Sequence, residues 1–145
     1  MKRVYILRGV SGSGKSTFIK KLPKNRVVHS TDKFFYKGGK YRFDLKKLPL
    51  FHEKNFKEYQ KSLKKGKRVV VVDNTNLLCE HVKPYIDEAR KYGYKIVLVD
   101  FLPKRREYHY KRNTHNIPLK AIDLQIKNYH KCKNKIENDR LIHLF

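Results

Sequence analysis

Short apolar runs recur along the chain: VYIL at 4–7, VV at 27–28, VVVV at 69–72 and KIVLVDF at 95–101. They are rich in β-branched residues and continuously apolar rather than alternating, the pattern of strands buried on both faces. Between them, apolar residues at helical spacing predict helices over Ser16–Leu22, Leu48–Lys65 and Glu80–Tyr92. Strand and helix therefore alternate, which predicts an α/β fold with a parallel sheet and helices on both sides. After Pro103 the texture changes to KRREYHYKRNTHNIP, and Pro118 then opens a predicted helix from Leu119 to about Lys131. The terminal LIHLF fits an edge strand or a docked tail, and no internal repeat is visible. At 145 residues the chain suits a single domain, 1–145, with a core of its own.

Charge narrows the partners. Lys and Arg number 36 against 13 Asp and Glu, a formal net charge of +23, so the summed field favours polyanions such as nucleic acid. A lysine-rich, merely solvated surface is the plainer reading of the same excess. The two cysteines, Cys79 and Cys132, stand far apart in no metal-like spacing, which predicts free thiols in a reducing compartment. The opening MKRVYILRGV is too short and too charged at Arg8 for a signal peptide, and no segment reaches membrane-spanning length. A soluble, cytoplasmic protein without membrane attachment is the expectation.

Immediately after the first predicted strand comes GVSGSGKST, residues 9–17, which satisfies the P-loop pattern G-x-x-x-x-G-K-[ST] in its strand-to-helix setting. Gly9, Gly12 and Gly14 let backbone N–H groups turn inward on phosphates, assisted by Ser13, Ser16 and Thr17 at the positive start of a helix. Lys15 is placed to reach the β and γ phosphates and the Ser16 hydroxyl to ligand Mg²⁺. The fold class sharpens to a P-loop NTPase-type sheet that binds ATP with Mg²⁺.

Ligands gather beyond the carboxyl ends of parallel strands, where Asp32 follows RVVHS and Asp73 ends VVVVD. Asp32 is a candidate to orient an attacking hydroxyl and take its proton, with a helix cap or Asx turn as the alternative. Asp73 opens DNTN, a run of good cap and turn formers. It reads either as local structure or as an acid near the metal or the acceptor, with Asn76 beside it. The basic stretch of about 103–118 suits an arginine-bearing lid, with Arg112 favoured over Arg105 and Arg106 because it stands just before a turn. In FFYKGGKYRFD, Phe35, Tyr36 and Tyr41 are candidates to stack bases, whereas Phe34 and Phe43 are assigned to the core; GG at 38–39 marks a hairpin turn.

Taken in order, GVSGSGKST, STDKFF, VVVVDNTNL, EARKYGYKI and KRNTHNIPLKAI resemble the kinase domain of 5′-hydroxyl polynucleotide kinases, over about Val4 to Tyr129. The resemblance implies that Lys15 and Ser16 bind ATP and Mg²⁺ and that Asp32 is the general base. It also places Asp73 at the acceptor and makes Arg112 a lid residue on the donor phosphates. Two family arginines are missing: Phe35 stands three residues after the base, and Asn116 four residues after Arg112, leaving His115 or a lysine to fill their part. The phosphatase motif D-x-D-x-T of the phage member is absent, so no 3′-end processing is expected. The expected function is phosphorylation of 5′-hydroxyl ends of RNA or DNA. A small-molecule kinase and a non-catalytic nucleotide-regulated binding module stand as alternatives.

Overall fold

The computed structural model describes residues 1–132 and 135–144. Five strands, β1 (Arg3–Arg8), β2 (Val27–His29), β5 (Val69–Asp73), β6 (Lys95–Phe101) and β7 (Arg140–Leu144), form one sheet in the order β2-β5-β1-β6-β7. All neighbouring pairs are parallel. Val4, Ile6, Val70, Val72, Ile96 and Leu98 face one layer and Leu7, Val71, Val97, Val99 and Phe101 the other, so the period of two survives although both faces are apolar. The first face packs on α2 (Leu48–Lys64) and α3 (Cys79–Lys91) through Tyr59, Leu63, Val82 and Ile86; the second receives α1 (Lys15–Lys20) through Ile19 and Phe18.

The expected helices appear within a few residues of their predicted ends, and α5 (Leu119–Lys131) opens after Pro118 as expected. Two segments left open by sequence acquire structure: the basic stretch forms α4 (Arg106–Arg112), and the C-terminal segment pairs with β6 as an edge strand. Gly38 and Gly39, at φ 56° and 80°, turn the short hairpin of β3 (Tyr36–Lys37) and β4 (Lys40–Tyr41). Arg8 is fully buried at the end of β1. Its guanidinium faces Asp100 at 3.4 Å and donates to the carbonyls of Leu77 and Tyr129 at 2.8 and 2.7 Å. Asp100 and the two carbonyls offset the cost of burying this guanidinium, while its Nε has no partner among the described residues.

The expectation of free thiols fails. Cys79 at the start of α3 and Cys132 just beyond α5 are joined as a disulfide, with Cα atoms 5.6 Å apart. A separation of 53 residues hid the pairing, because only the packing of α5 beside the loop after β5 brings the two ends together. No helix among the described residues is long and apolar enough to cross a membrane.

Candidate active site

Register fixes the site. Leu7 of β1 pairs with Asp73 of β5, and His29 of β2 pairs with Val72, so three strands end in line at one edge of the sheet. The P-loop, Asp73 and the segment carrying Asp32 leave from that edge. They line a pocket of about 250 Å³ with Gly12, Ser13, Gly14, Lys15, Ser16, Thr17, Asp32, Asp73 and Arg112 in its wall.

The P-loop half is made of backbone. Gly14, at φ 96°, precedes α1, a conformation that side chains resist, and leaves the first N–H groups of the helix pointing into the pocket. Gly12, at φ 75°, presses on the lid helix: a Cβ there would lie 2.5 Å from the His109 carbonyl and 3.0 Å from the Asn113 nitrogen. Lys15 Nζ donates to the carbonyls of Gly9 and Val10, both at 3.0 Å, and burial lowers its basicity against the opposing pull of Asp73 and Asp32. Gly9 needs correction as a phosphate donor. Its N–H is given to the Thr75 carbonyl at 3.0 Å, and its lack of a side chain serves packing, since a Cβ would lie 2.8 Å from that of Phe101.

His109 was not anticipated. Buried at the base of the lid, it accepts from the Lys104 N–H at Nε2 (2.8 Å), so Nδ1 bears the proton and donates to the Gly12 carbonyl at 3.2 Å. Burial lowers its pKa, with Lys15, Lys104 and Arg112 adding to the effect against the Gly12 bond. Neutral His109 therefore pins the lid helix to the P-loop. In the lid itself, Arg112 lies over the Tyr108 ring, 5.1 Å from its centroid, and reaches the pocket wall. The Asn113 side chain accepts from the Ile117 N–H at 2.8 Å, closing the turn. Asn116 sits at φ 55°, a left-handed conformation that asparagine tolerates better than most residues.

Asp32 lies in a 3-10 turn, Thr31–Phe35, whose capping residue Ser30 makes no side-chain cap bond. Its carboxylate is not a cap: it accepts from the Tyr41 hydroxyl at 3.2 Å and faces His115 Nε2 at 3.6 Å, too long for a hydrogen bond. Tyr41 and His115 are stacked on each other, centroids 4.1 Å apart, so the hairpin and the lid meet over the Asp32 carboxylate. Burial and the adjoining Asp32 carboxylate raise the Tyr41 pKa, keeping its hydroxyl a donor. His115 Nδ1 is buried without a partner.

The DNTN run divides its labour. Asp73 reaches the pocket, and its pKa is raised, chiefly by burial and also by Asp32, against the opposing pull of Lys15 and His115. Asn74 accepts the Thr31 N–H at 3.0 Å, fixing the turn that bears Asp32, and the Thr75 carbonyl holds Gly9. Asn76 was expected at the substrate. Instead it is 3% exposed and donates to the Leu7 carbonyl at 2.8 Å, adopting φ 49° to do so. Phe35 is corrected likewise: at 2% exposure it packs between Phe43 and Phe51, because the 3-10 turn directs it inward when Asp32 faces the pocket. Phe43, assigned to the core from sequence, is instead 49% exposed, and Tyr36 remains open at 48%.

Comparison with known proteins agrees with this architecture. The family model for AAA domains, AAA_33, matches residues 4–131. NEDD4-binding protein 2 of Homo sapiens is 33% identical over 133 residues, 86% of this chain; the chain spans only 7% of that protein's length. Among solved structures, a chain of the Pnkp1/Rnl/Hen1 RNA repair complex superposes with a TM-score of 0.71 at 24% identity, over 94% of this chain and 47% of that one. A fungal RNA kinase gives 0.62 at 17% identity, covering 99% and 74%. A gluconokinase from Sinorhizobium meliloti gives 0.56 at 15%, covering 97% and 81%. The shared element is a P-loop kinase-like fold that carries both RNA kinases and small-molecule kinases.

Proposed function

The chain belongs to the AAA_33 family of AAA domains, and from that premise we propose that it is an ATP-dependent polynucleotide kinase that phosphorylates 5′-hydroxyl ends of RNA or DNA. The observation that carries the reading is the Asp32 carboxylate, which shares one pocket with Lys15, Ser16 and Arg112 rather than capping a helix. The formal net charge of +23 supports a polyanionic acceptor, and the fold is shared with RNA kinases.

In the proposed reaction the N–H groups and Lys15 of the P-loop hold the β and γ phosphates, and Arg112 meets the charge that spreads over the γ-phosphoryl oxygens. The acceptor 5′-oxygen bonds to the γ phosphorus while the bond from that phosphorus to the β–γ bridging oxygen breaks. The hydroxyl proton passes to Asp32, and ADP leaves. Proton loss comes late in so loose a transfer, so the main task of Asp32 is to aim the oxygen. Tyr41 bonds to the carboxylate from the hairpin, and His115 faces it from the lid. The Ser16 hydroxyl and the Asp73 carboxylate are hard oxygen donors suited to Mg²⁺, and their small number fits an ion that keeps phosphate and water ligands. An ion held by these residues would supply charge neutralisation to the transferring phosphoryl group.

The test is incubation with γ-labelled ATP and paired acceptors: a 5′-hydroxyl oligonucleotide, its 5′-phosphorylated form and a small polyol acid such as gluconate. Label is expected on the 5′-hydroxyl strand alone. Transfer to the small alcohol without transfer to the strand would replace the proposal with a small-molecule kinase.

A further inference from the structure

The hairpin side of the molecule carries a feature that phosphoryl transfer does not use. Beside the active-site turn, Phe34, Phe35, Phe43 and Phe51 floor a recess of about 200 Å³ rimmed by Lys37, Arg42 and Lys47. Phe43 lies over Phe35 nearly parallel, centroids 5.0 Å apart and planes at 10°, and yet is 49% exposed. Its inner face is therefore fixed by packing while the ring remains half open to solvent. An exposed aromatic braced in this way is a preformed stacking surface, with little side-chain entropy left to lose on binding.

The rim is unbalanced. Asp44 is the one carboxylate lining the recess, and its Oδ1 already accepts the Lys46 N–H at 3.0 Å. The ammonium of Lys47 lies beside that of Lys37 and lowers its basicity, an effect to which Arg42 adds and which Asp44 opposes. Like charges held together without sufficient counter-charge gain most from a polyanion. The recess is smaller than the roughly 300–1,000 Å³ of a drug-sized ligand site, so it suits one planar ring with flanking charge. It is also tied to the reaction centre, because Tyr41 packs on Phe35 and bonds to Asp32.

We propose that Phe43, with Lys37, Arg42 and Lys47, is a second contact for the acceptor strand, stacking one base and binding phosphates downstream of the reacting 5′ end. This rests on the kinase reading but concerns a separate surface. It makes the enzyme prefer strands long enough to span from Asp32 to the recess. The aromatic contact tolerates any base, and the cations follow the backbone.

The experiment compares 5′-hydroxyl dinucleotides with 12-mers, in RNA and DNA, for wild type, Phe43→Ala, Lys37→Ala and Lys47→Ala. All three side chains are at the surface, so folding is preserved, as melting curves would verify. Phe43→Ala is expected to raise KM for the 12-mer about 10-fold, since one lost base stack is worth roughly that factor; each lysine change should raise it by a smaller factor, and all three should leave kcat and dinucleotide KM unchanged. Each lysine removed should also reduce the salt slope of 12-mer affinity by about 0.7. Equal effects on short and long acceptors, or none on either, would overturn the proposal. Fluorescence anisotropy of a labelled 12-mer without ATP separates this idea from the kinase reading. If no strand is phosphorylated but the 12-mer binds and the variants weaken it, the recess stands and the kinase reading falls. If polyglutamate displaces the 12-mer as well as unlabelled strand does, the site is a general anion surface and the proposal fails.

Discussion

On the proposed reading, the pocket has a donor half and an acceptor half, and the two are built by different means. The donor half is backbone: Gly12, Gly14 and the start of α1 sit within a few residues of one another, and their geometry follows from glycine's freedom at φ 75° and 96°. The acceptor half is side chains drawn from three distant segments, Asp32 from the turn after β2, Tyr41 from the hairpin and His115 from the lid. A backbone cradle needs only local sequence to exist, whereas a side-chain cluster exists only after folding. The first half is therefore generic to a P-loop and the second is where this chain can differ from its neighbours.

The largest expected effect falls on the acceptor half alone. Asp32→Ala should reduce kcat by about 1,000-fold or more, within the range for loss of a general base, while equilibrium binding of ATP stays at the wild-type level. A variant that lost ATP binding equally would show that Asp32 belongs to the donor half, and the division drawn above would fail.

Acid should separate the halves next. His29, at the end of β2 beneath the Asp32 turn, is 4% exposed and shares a 2.8 Å hydrogen bond with Ser62 of α2; burial, with Lys33 nearby, depresses its pKa to about 4. A histidine that resists protonation in the fold takes a proton more readily when unfolded, near its ordinary 6.5. The stability it supports is complete above that value, falls as pH drops from 6.5 to about 4, and is level below. The full loss is on the order of 3 kcal/mol. Thermal melts from pH 7 to 4 should show this decline, and His29→Gln should flatten it. An unchanged acid limb in the variant would assign the loss elsewhere.

On the donor side, Gly12→Ala meets backbone, not a movable side chain, 2.5 Å from its new Cβ. About 2 kcal/mol of strain is expected, relieved by parting the P-loop from the lid helix. ATP affinity should fall, with little change in KM for the acceptor. A variant with normal ATP affinity would mean that the contact between loop and lid is slack.

This division also explains what was legible in the sequence. The sheet, its helices and the P-loop followed from periodicity and a contiguous motif. Asp32 was expected at the pocket because strand ends collect ligands, and it lines the wall there. Asn76 and Phe35 were misread because both sit in motif-like surroundings, yet one side chain satisfies the Leu7 carbonyl and the other fills the space under the hairpin. The roles of His109, Asn74 and the Cys79–Cys132 pair depend on contacts between segments distant along the chain, which no local pattern records.

The smallest expected effect tests the acceptor half most sharply. Tyr41→Phe removes only a hydroxyl: the ring can keep its stack on His115 and its contact with Phe35, so stability should change by less than about 1 kcal/mol. If the hydroxyl serves to hold Asp32, kcat should fall about 10-fold, the equivalent of roughly one charge-assisted hydrogen bond, with KM for ATP unchanged. His115→Ala should act on the same step. Because both work through one carboxylate, the double variant should lose less than the product of the single losses. In an Asp32→Ala background neither change should matter further. Were Tyr41→Phe to lower the residual rate of Asp32→Ala by the same 10-fold, the hydroxyl would be acting on the acceptor directly, and the acceptor half would have two independent contacts in place of one held carboxylate.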